Sequence, residues 1–124
     1  MFTHICVSAH DLDVSGNFYK AVLAPLGIGD KGKFSDRTWG FGKETGPNLL
    51  VTIPANGEPA THSNGGTIGL SAPNREAVDA FYKAALEMGG TDEGTPGPRF
   101  RDDLYAAYVR DPVGNKICAY VGLG

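Results

Sequence analysis

The chain has 124 residues, 41% hydrophobic and 20% charged, with 11 basic against 14 acidic side chains and a net charge of −3. That length fits a single domain over residues 1–124, and the acidic balance leaves no basic stripe for nucleic acid. No apolar run approaches the roughly 20 residues that span a membrane, and two cysteines, Cys6 and Cys118, are too few for a disulfide framework.

Met1-Phe2-Thr3-His4 lacks the charged-then-apolar design of a signal peptide, so a cytoplasmic protein handling a small molecule is expected. The first apolar stretch, Ile5-Cys6-Val7, reads as a strand. Asp11 can cap a helix that follows, with Asp13 in its first turn. Leu12, Ser15, Phe18/Tyr19, Val22 and Leu26 then recur at helical spacing, and Gly27 supplies the stop. Residues 27–32 fit G-x-G-x-x-G, but they follow a helix and do not open one, so they are turn chemistry and not a dinucleotide fingerprint. Strands are expected at 33–35, 37–42 and 49–53, before a polar, turn-rich linker at 54–64 that carries His62. His10 and His62 read as surface histidines. Ile68-Gly69-Leu70 begins a second series. Asn74 caps its helix with Glu76 behind it; Ala77/Val78, Phe81, Ala84/Ala85 and Met88 make the apolar face, and Gly89-Gly90 the stop. Further strands are expected at 91–93, 106–110 and 117–121. Asp111-Pro112-Val113-Gly114-Asn115 joins the last two as a tight hairpin.

The two series are copies. A shift of 63 residues lays 4–27 over 67–90 without a gap, and nine of the 24 pairs are identical, including Phe-Tyr-Lys-Ala at 18–21 and 81–84. Each half, about 1–57 and 63–124, is therefore β-α-β-β-β.

Two βαβββ modules, the segment Phe-Tyr-Lys-Ala-Val-Leu-Ala-Pro-Leu-Gly at 18–27, and Arg-Asp-Pro-Val-Gly-Asn-Lys-Ile at 110–117 resemble the vicinal oxygen chelate superfamily. That group includes glyoxalase I, the bleomycin-resistance proteins and the extradiol dioxygenases. The resemblance implies an α+β fold: two tandem βαβββ modules forming one concave mixed sheet with helices on the outside. It also implies a homodimer, and in the metal-binding members a divalent ion inside the sheet. Their ligands come from the first and last strand of each module. Here the first-strand positions are His4 and Thr67, and aligning Asn48 with Asn115 adds Val51 and Cys118. Val51 cannot ligate and a neutral Thr hydroxyl ligates poorly, so His4 and Cys118 are the only remnants of a metal site. No cofactor is expected; Zn²⁺, Ni²⁺ or Mn²⁺ belongs to the alternative below.

Strand parity puts His4 on one face with Cys6 and Ser8. His4 and the Tyr105 hydroxyl are the candidate proton-transfer groups. Cys118 shares a face with Tyr120; a Cys–His nucleophile and a buried, inert thiol both fit it. Arg99 and Arg101 flank Phe100 and could clamp an anion, or pair with Asp102 and Asp103. Trp39, Phe41, Tyr105 and Tyr108 either line a cavity wall for an aromatic ligand or fill the core. Cys6, Val51, Thr67, Cys118 and Tyr120 complete the expected lining.

Three functions fit these residues. One is a metal-free protein binding a small, anionic or aromatic molecule in the cleft. The alternative is a metal-dependent lyase or isomerase of the lactoylglutathione lyase type, acting on a vicinal-oxygen substrate. The third is an interaction module whose cleft is filled by its own side chains.

Overall fold

The computed structural model describes residues 1–123; Gly124, the end of the second expected module, lies outside the described residues. The elements run β1 (His4–Ser8), α1 (Leu12–Leu23), a 3-10 turn (Ala24–Leu26), β2 (Gly29–Ser35), β3 (Thr38–Gly42), β4 (Asn48–Thr52), β5 (Thr67–Ser71), α2 (Arg75–Glu87), β6 (Thr91–Arg99), β7 (Arg101–Arg110) and β8 (Lys116–Val121). Both βαβββ modules are present, and β1 and β5 carry the 63-residue shift through intact. In place of one hydrogen-bonded sheet, the strands form two, ordered β1-β4-β3-β2 and β5-β8-β7-β6. Each is mixed: its first strand is parallel to its last, and the other pairs are antiparallel.

Helix starts are where the capping residues place them. Asp11 Oδ1 accepts from the N–H groups of Asp13 and Val14 at 2.9 and 3.1 Å, and Asn74 Oδ1 accepts from Ala77 N at 2.8 Å. The α1 stop is Gly27 in the left-handed region, φ 76°, with Pro25 in the preceding 3-10 turn. Leu12, Ser15, Phe18, Tyr19, Val22 and Leu26 are all buried. In α2 the buried stripe is Ala77, Val78, Phe81 and Ala85; Met88, at the helix end, is exposed instead.

The helices pack on each other and on one face of their own sheets, giving a single core that runs through both modules. Val7, Phe41, Leu49, Val51, Ala107, Val109, Ile117 and Ala119 supply the sheet side of it. Burial of each large apolar side chain contributes roughly 1.5–3 kcal/mol before entropy is subtracted. Gly16 is required by close approach. A Cβ there would run into the Trp39 ring.

The longest departure from expectation is β6. A strand is expected there only at 91–93, yet 91–99, prolines included, is one edge strand paired to β7 with several register shifts. An edge strand tolerates proline because its outward N–H groups have no ladder partner to lose.

The modules are tied by polar contacts as well. Tyr19 OH, on α1, donates to Asp111 Oδ2 in the last hairpin at 2.6 Å, and Asn115 Nδ2 donates to Ser8 O at 3.0 Å. Burial, then the Asp111 charge, pushes Tyr19 well above its ordinary value of 10.0. A raised folded value contributes stability that is present in full below the unfolded tyrosine value and is lost as pH climbs toward the folded one. Tyr19→Phe is therefore expected to cost about 1.5–3 kcal/mol at neutral pH, the range for a hydrogen bond to a charged group. It should also flatten the fall in stability above about pH 10, checked by urea melts across pH. Gly16→Ala is expected to lower stability despite the better helix former, because overpacking against Trp39 costs about 1–3 kcal/mol against a propensity gain of at most about 1.

Candidate functional site

The face of each sheet turned away from the helices is the open face. Strand pairing fixes its members. In the first sheet His4 opposes Asn48, Cys6 opposes Leu50, Ser8 opposes Thr52, and Gly40 opposes Leu50 from the other side. In the second, Thr67 opposes Lys116, Gly69 opposes Cys118, Ser71 opposes Tyr120, and Tyr108 opposes Cys118.

This pairing corrects the alignment of the last strands. His4 is level with Asn48 and Thr67 with Lys116, so the counterpart of Cys118 is Leu50 and not Val51. Val51 is fully buried on the helix side. A one-residue slip turns a strand's whole side-chain set to the opposite face. The four positions that the resemblance marks for a metal thus hold His4, Leu50, Thr67 and Cys118. They offer one imidazole, one thiol and one neutral hydroxyl, a donor set that does not fit a catalytic divalent ion. Among the described residues no group of three His, Cys, Asp or Glu side chains comes together to hold a metal.

Three other candidates also face the helices. Phe41 is fully buried, and Trp39 stacks on it with ring centroids 5.8 Å apart while its Nε1 donates to Asp30 Oδ1 at 2.6 Å. That bond holds the Asp30 carboxyl below its usual range. Tyr105 OH donates to Asp79 Oδ1 of α2 at 2.6 Å, and Arg75 lies over its ring. It packs against the core and not on the open face, which separates it from His4 as a proton donor. The bond to Asp79 raises Tyr105 above its ordinary value.

What the open face of the second sheet does gather is a small cluster of its own: Leu104, Ala106, Cys118 and Tyr120, with Tyr108 against them. The hydroxyls of Tyr108 and Tyr120 are 2.8 Å apart with their rings edge to face. Two cations attend the Tyr108 ring, Arg99 Cζ at 5.7 Å and Lys116 Nζ at 5.4 Å from its centroid. Burial, then the bond with Tyr120, pushes Tyr108 well above the ordinary tyrosine value. Burial likewise raises the Cys118 thiol, against smaller opposing effects of Tyr108 and Lys116.

Both terminal nitrogens of Arg99 are spent on its own strand. Nη1 donates to Gly97 O and Pro98 O at 3.0 and 3.2 Å, and Nη2 to Thr95 O at 2.6 Å. Arg99 therefore fastens the irregular β6 and presents charge to Tyr108, without the free fork that an anion clamp needs. Arg101 Nε donates to Asp103 Oδ1 at 3.0 Å, both side chains being largely exposed. That pair is a surface contact.

His4 is exposed, with Nδ1 2.9 Å from Thr3 Oγ1. A groove of about 430 Å³ joins Cys6 and Ser8 of β1 to Thr67 of β5, Asn115 and Lys116, closed on one side by Thr61 and Ser63 of the linker. A smaller hollow of about 240 Å³ brings Gly69 and Ser71 to Tyr120. Sequence reasoning missed Lys116 and Leu50. Lys116 was within reach, since Lys116, Cys118 and Tyr120 alternate along one strand face.

Residues 2–119 match the family model described as Glyoxalase/Bleomycin resistance protein/Dioxygenase superfamily. Among solved structures, a glyoxalase/bleomycin resistance protein from Albidiferax ferrireducens T118 is 46% identical over 97% of both chains, with a TM-score of 0.87. A lactoylglutathione lyase from Agrobacterium tumefaciens is 23% identical, covering 98% of this chain and 93% of its own, with a TM-score of 0.67. A family enzyme from Burkholderia phytofirmans PsJN is 16% identical over 95% of both chains, with a TM-score of 0.72. The last two show the shared fold alone. Among curated proteins none matches this chain.

Cys6 is exposed, whereas Cys118 is 3% exposed with a raised thiol. At pH 8 a thiol reagent is expected to label Cys6 in the native protein and to reach Cys118 only after unfolding, as peptide mass spectrometry would read.

Proposed function

Because the chain belongs to the glyoxalase/bleomycin resistance protein/dioxygenase superfamily, we propose that it binds a small planar anion on the open face of its second sheet, without a divalent metal at the family's usual position. The observation that carries this reading is the Tyr108–Tyr120 hydroxyl pair above Cys118, edged by Arg99 and Lys116. An aromatic ligand gains contact area from the two rings, the hydroxyls give it hydrogen bonds, and the two cations favour a negative group. Proton transfer is poorly served here. A general acid or base works best with a value near the operating pH, and burial drives Cys118 and Tyr108 away from it. Tyr105, turned to the helices, adds nothing.

The same reading makes the protein a cytoplasmic homodimer. β1, β2, β5 and β6 end their sheets, and an edge strand offers its unpaired N–H and C=O groups to a strand of a second copy. Among the described residues no helix is long and apolar enough to cross a membrane.

2-Naphthoate serves as a probe. It is expected to bind the wild type saturably and to shift the NMR signals of Tyr108, Cys118 and Tyr120. Tyr108→Ala should weaken it roughly five- to tenfold, the order expected for losing about 1 kcal/mol of aromatic contact. Protein purified without chelators is expected to carry no stoichiometric metal. Stoichiometric Zn²⁺, Ni²⁺ or Mn²⁺ with chelator-sensitive turnover of a methylglyoxal–glutathione adduct would overturn the reading in favour of a lyase.

A further inference from the structure

A second cleft is lined by neither member of the tyrosine pair. It encloses about 390 Å³ between the first sheet and β5, and Ile5, Phe41, Leu49, Ile68 and Leu70 carry it into the margin of the core. Phe2, 62% exposed, stands at its rim. That volume is within the range of small-ligand sites, about 300–1,000 Å³.

Charge at the mouth selects the ligand. Lys43 lines the cleft, and no carboxylate does among the described residues. No acidic side chain among them pairs with Lys43 either. Lys31 stands at the same end, its Nζ donating at 3.0 Å to Oδ1 of Asn48, which also lines the cleft. In a chain of net charge −3, two ammonium groups at the mouth of an apolar cavity are a local reversal of sign. An uncharged hydrocarbon would offer Lys43 no partner. We propose that this cleft binds a small apolar carboxylate, its hydrocarbon among Ile5, Leu49, Ile68 and Leu70 and its anionic head at Lys43. The cleft shares Gly69, Leu70 and Ser71 with the hollow beside Tyr120, but Tyr108, Cys118 and Tyr120 do not line it, so the two sites are told apart by Tyr108.

The chain supplies its own reporter. Trp39 is the only tryptophan, and it stacks on Phe41, a wall of the cleft. Decanoate is the probe, below its micelle concentration, with decanol as its uncharged counterpart; binding is followed by Trp39 fluorescence and calorimetry. Saturable decanoate binding is expected, with decanol weaker and Lys43→Glu reducing decanoate affinity by about tenfold, the scale for losing one charge-assisted contact. Ile68→Phe should abolish binding by filling the cavity, while Tyr108→Ala should leave it unchanged. Lys43 is exposed, so its variant tests the site even where Ile68→Phe fails to fold. The proposal is overturned by absence of saturable binding, by equal affinity for decanol, or by binding that survives Lys43→Glu. It is overturned equally if sedimentation shows a dimer that Ile68→Phe dissociates and decanoate leaves intact, since a second copy would then be the occupant.

Discussion

Asp111 is 4% exposed and its carboxylate accepts from five donors: the backbone N–H groups of Val113, Gly114 and Asn115, the Asn115 side-chain amide, and the Tyr19 hydroxyl. A carboxylate this deep persists only when its oxygens are satisfied, because an unpaired buried charge costs several kcal/mol. Three of the bonds shape the turn between β7 and β8, where Gly114 takes φ 107°. Of the other two, the Asn115 amide bond stays within the turn and the Tyr19 bond reaches out of it. Tyr19 binds the turn to α1, and Asn115, held by Asp111, carries the connection on to Ser8 at the end of β1. The relative placement of the modules, and of the grooves between β1 and β5, hangs on this hub and on the core beneath it.

Duplication did not reproduce the hub. Tyr82 is the copy of Tyr19, but it is half-buried and has Asp92 beside it, which raises it after desolvation does. The repeated Phe-Tyr-Lys-Ala segment thus kept its helix and its apolar face while its hydroxyl took a local partner in one half and a bridging partner in the other. The helices were legible from the sequence because caps, glycine stops and apolar spacing are local signals that agree in both halves. The bridge was not, because Tyr19 and Asp111 are 92 residues apart and neither has a local signature of the contact.

The open face was half legible. Parity along single strands places Cys6 with His4, and Tyr120 with Cys118, correctly on one side. It fails between strands that are aligned by a turn residue. Asn115 belongs to the hairpin, its N–H bonded to Asp111, whereas Asn48 is already in the strand opposite His4. Matching the two asparagines therefore moved β4 by one residue and exchanged Leu50 for Val51. Tyr105 and Tyr108 show the converse. Three residues apart in one strand, they must point to opposite faces, so a single cavity was never able to hold both.

Strand alternation also decides what each side of β5 can recognise. Ile68 and Leu70 continue the core to the edge of the apolar cleft, while Thr67, Gly69 and Ser71 meet Lys116, Cys118 and Tyr120, and Gly69 and Ser71 also line that cleft. The small residues matter there. A Cβ on Gly69 would sit 3.5 Å from Cys118 Sγ, so a longer side chain would cover the thiol and crowd the approach to Tyr120. With Leu50 in the first sheet and Gly69 in the second, the centre of the open face is apolar and aromatic surface. Neutral hydroxyls at hydrogen-bond distance, a buried thiol and positive charge at the edge are the features on which the proposed recognition of an anion rests.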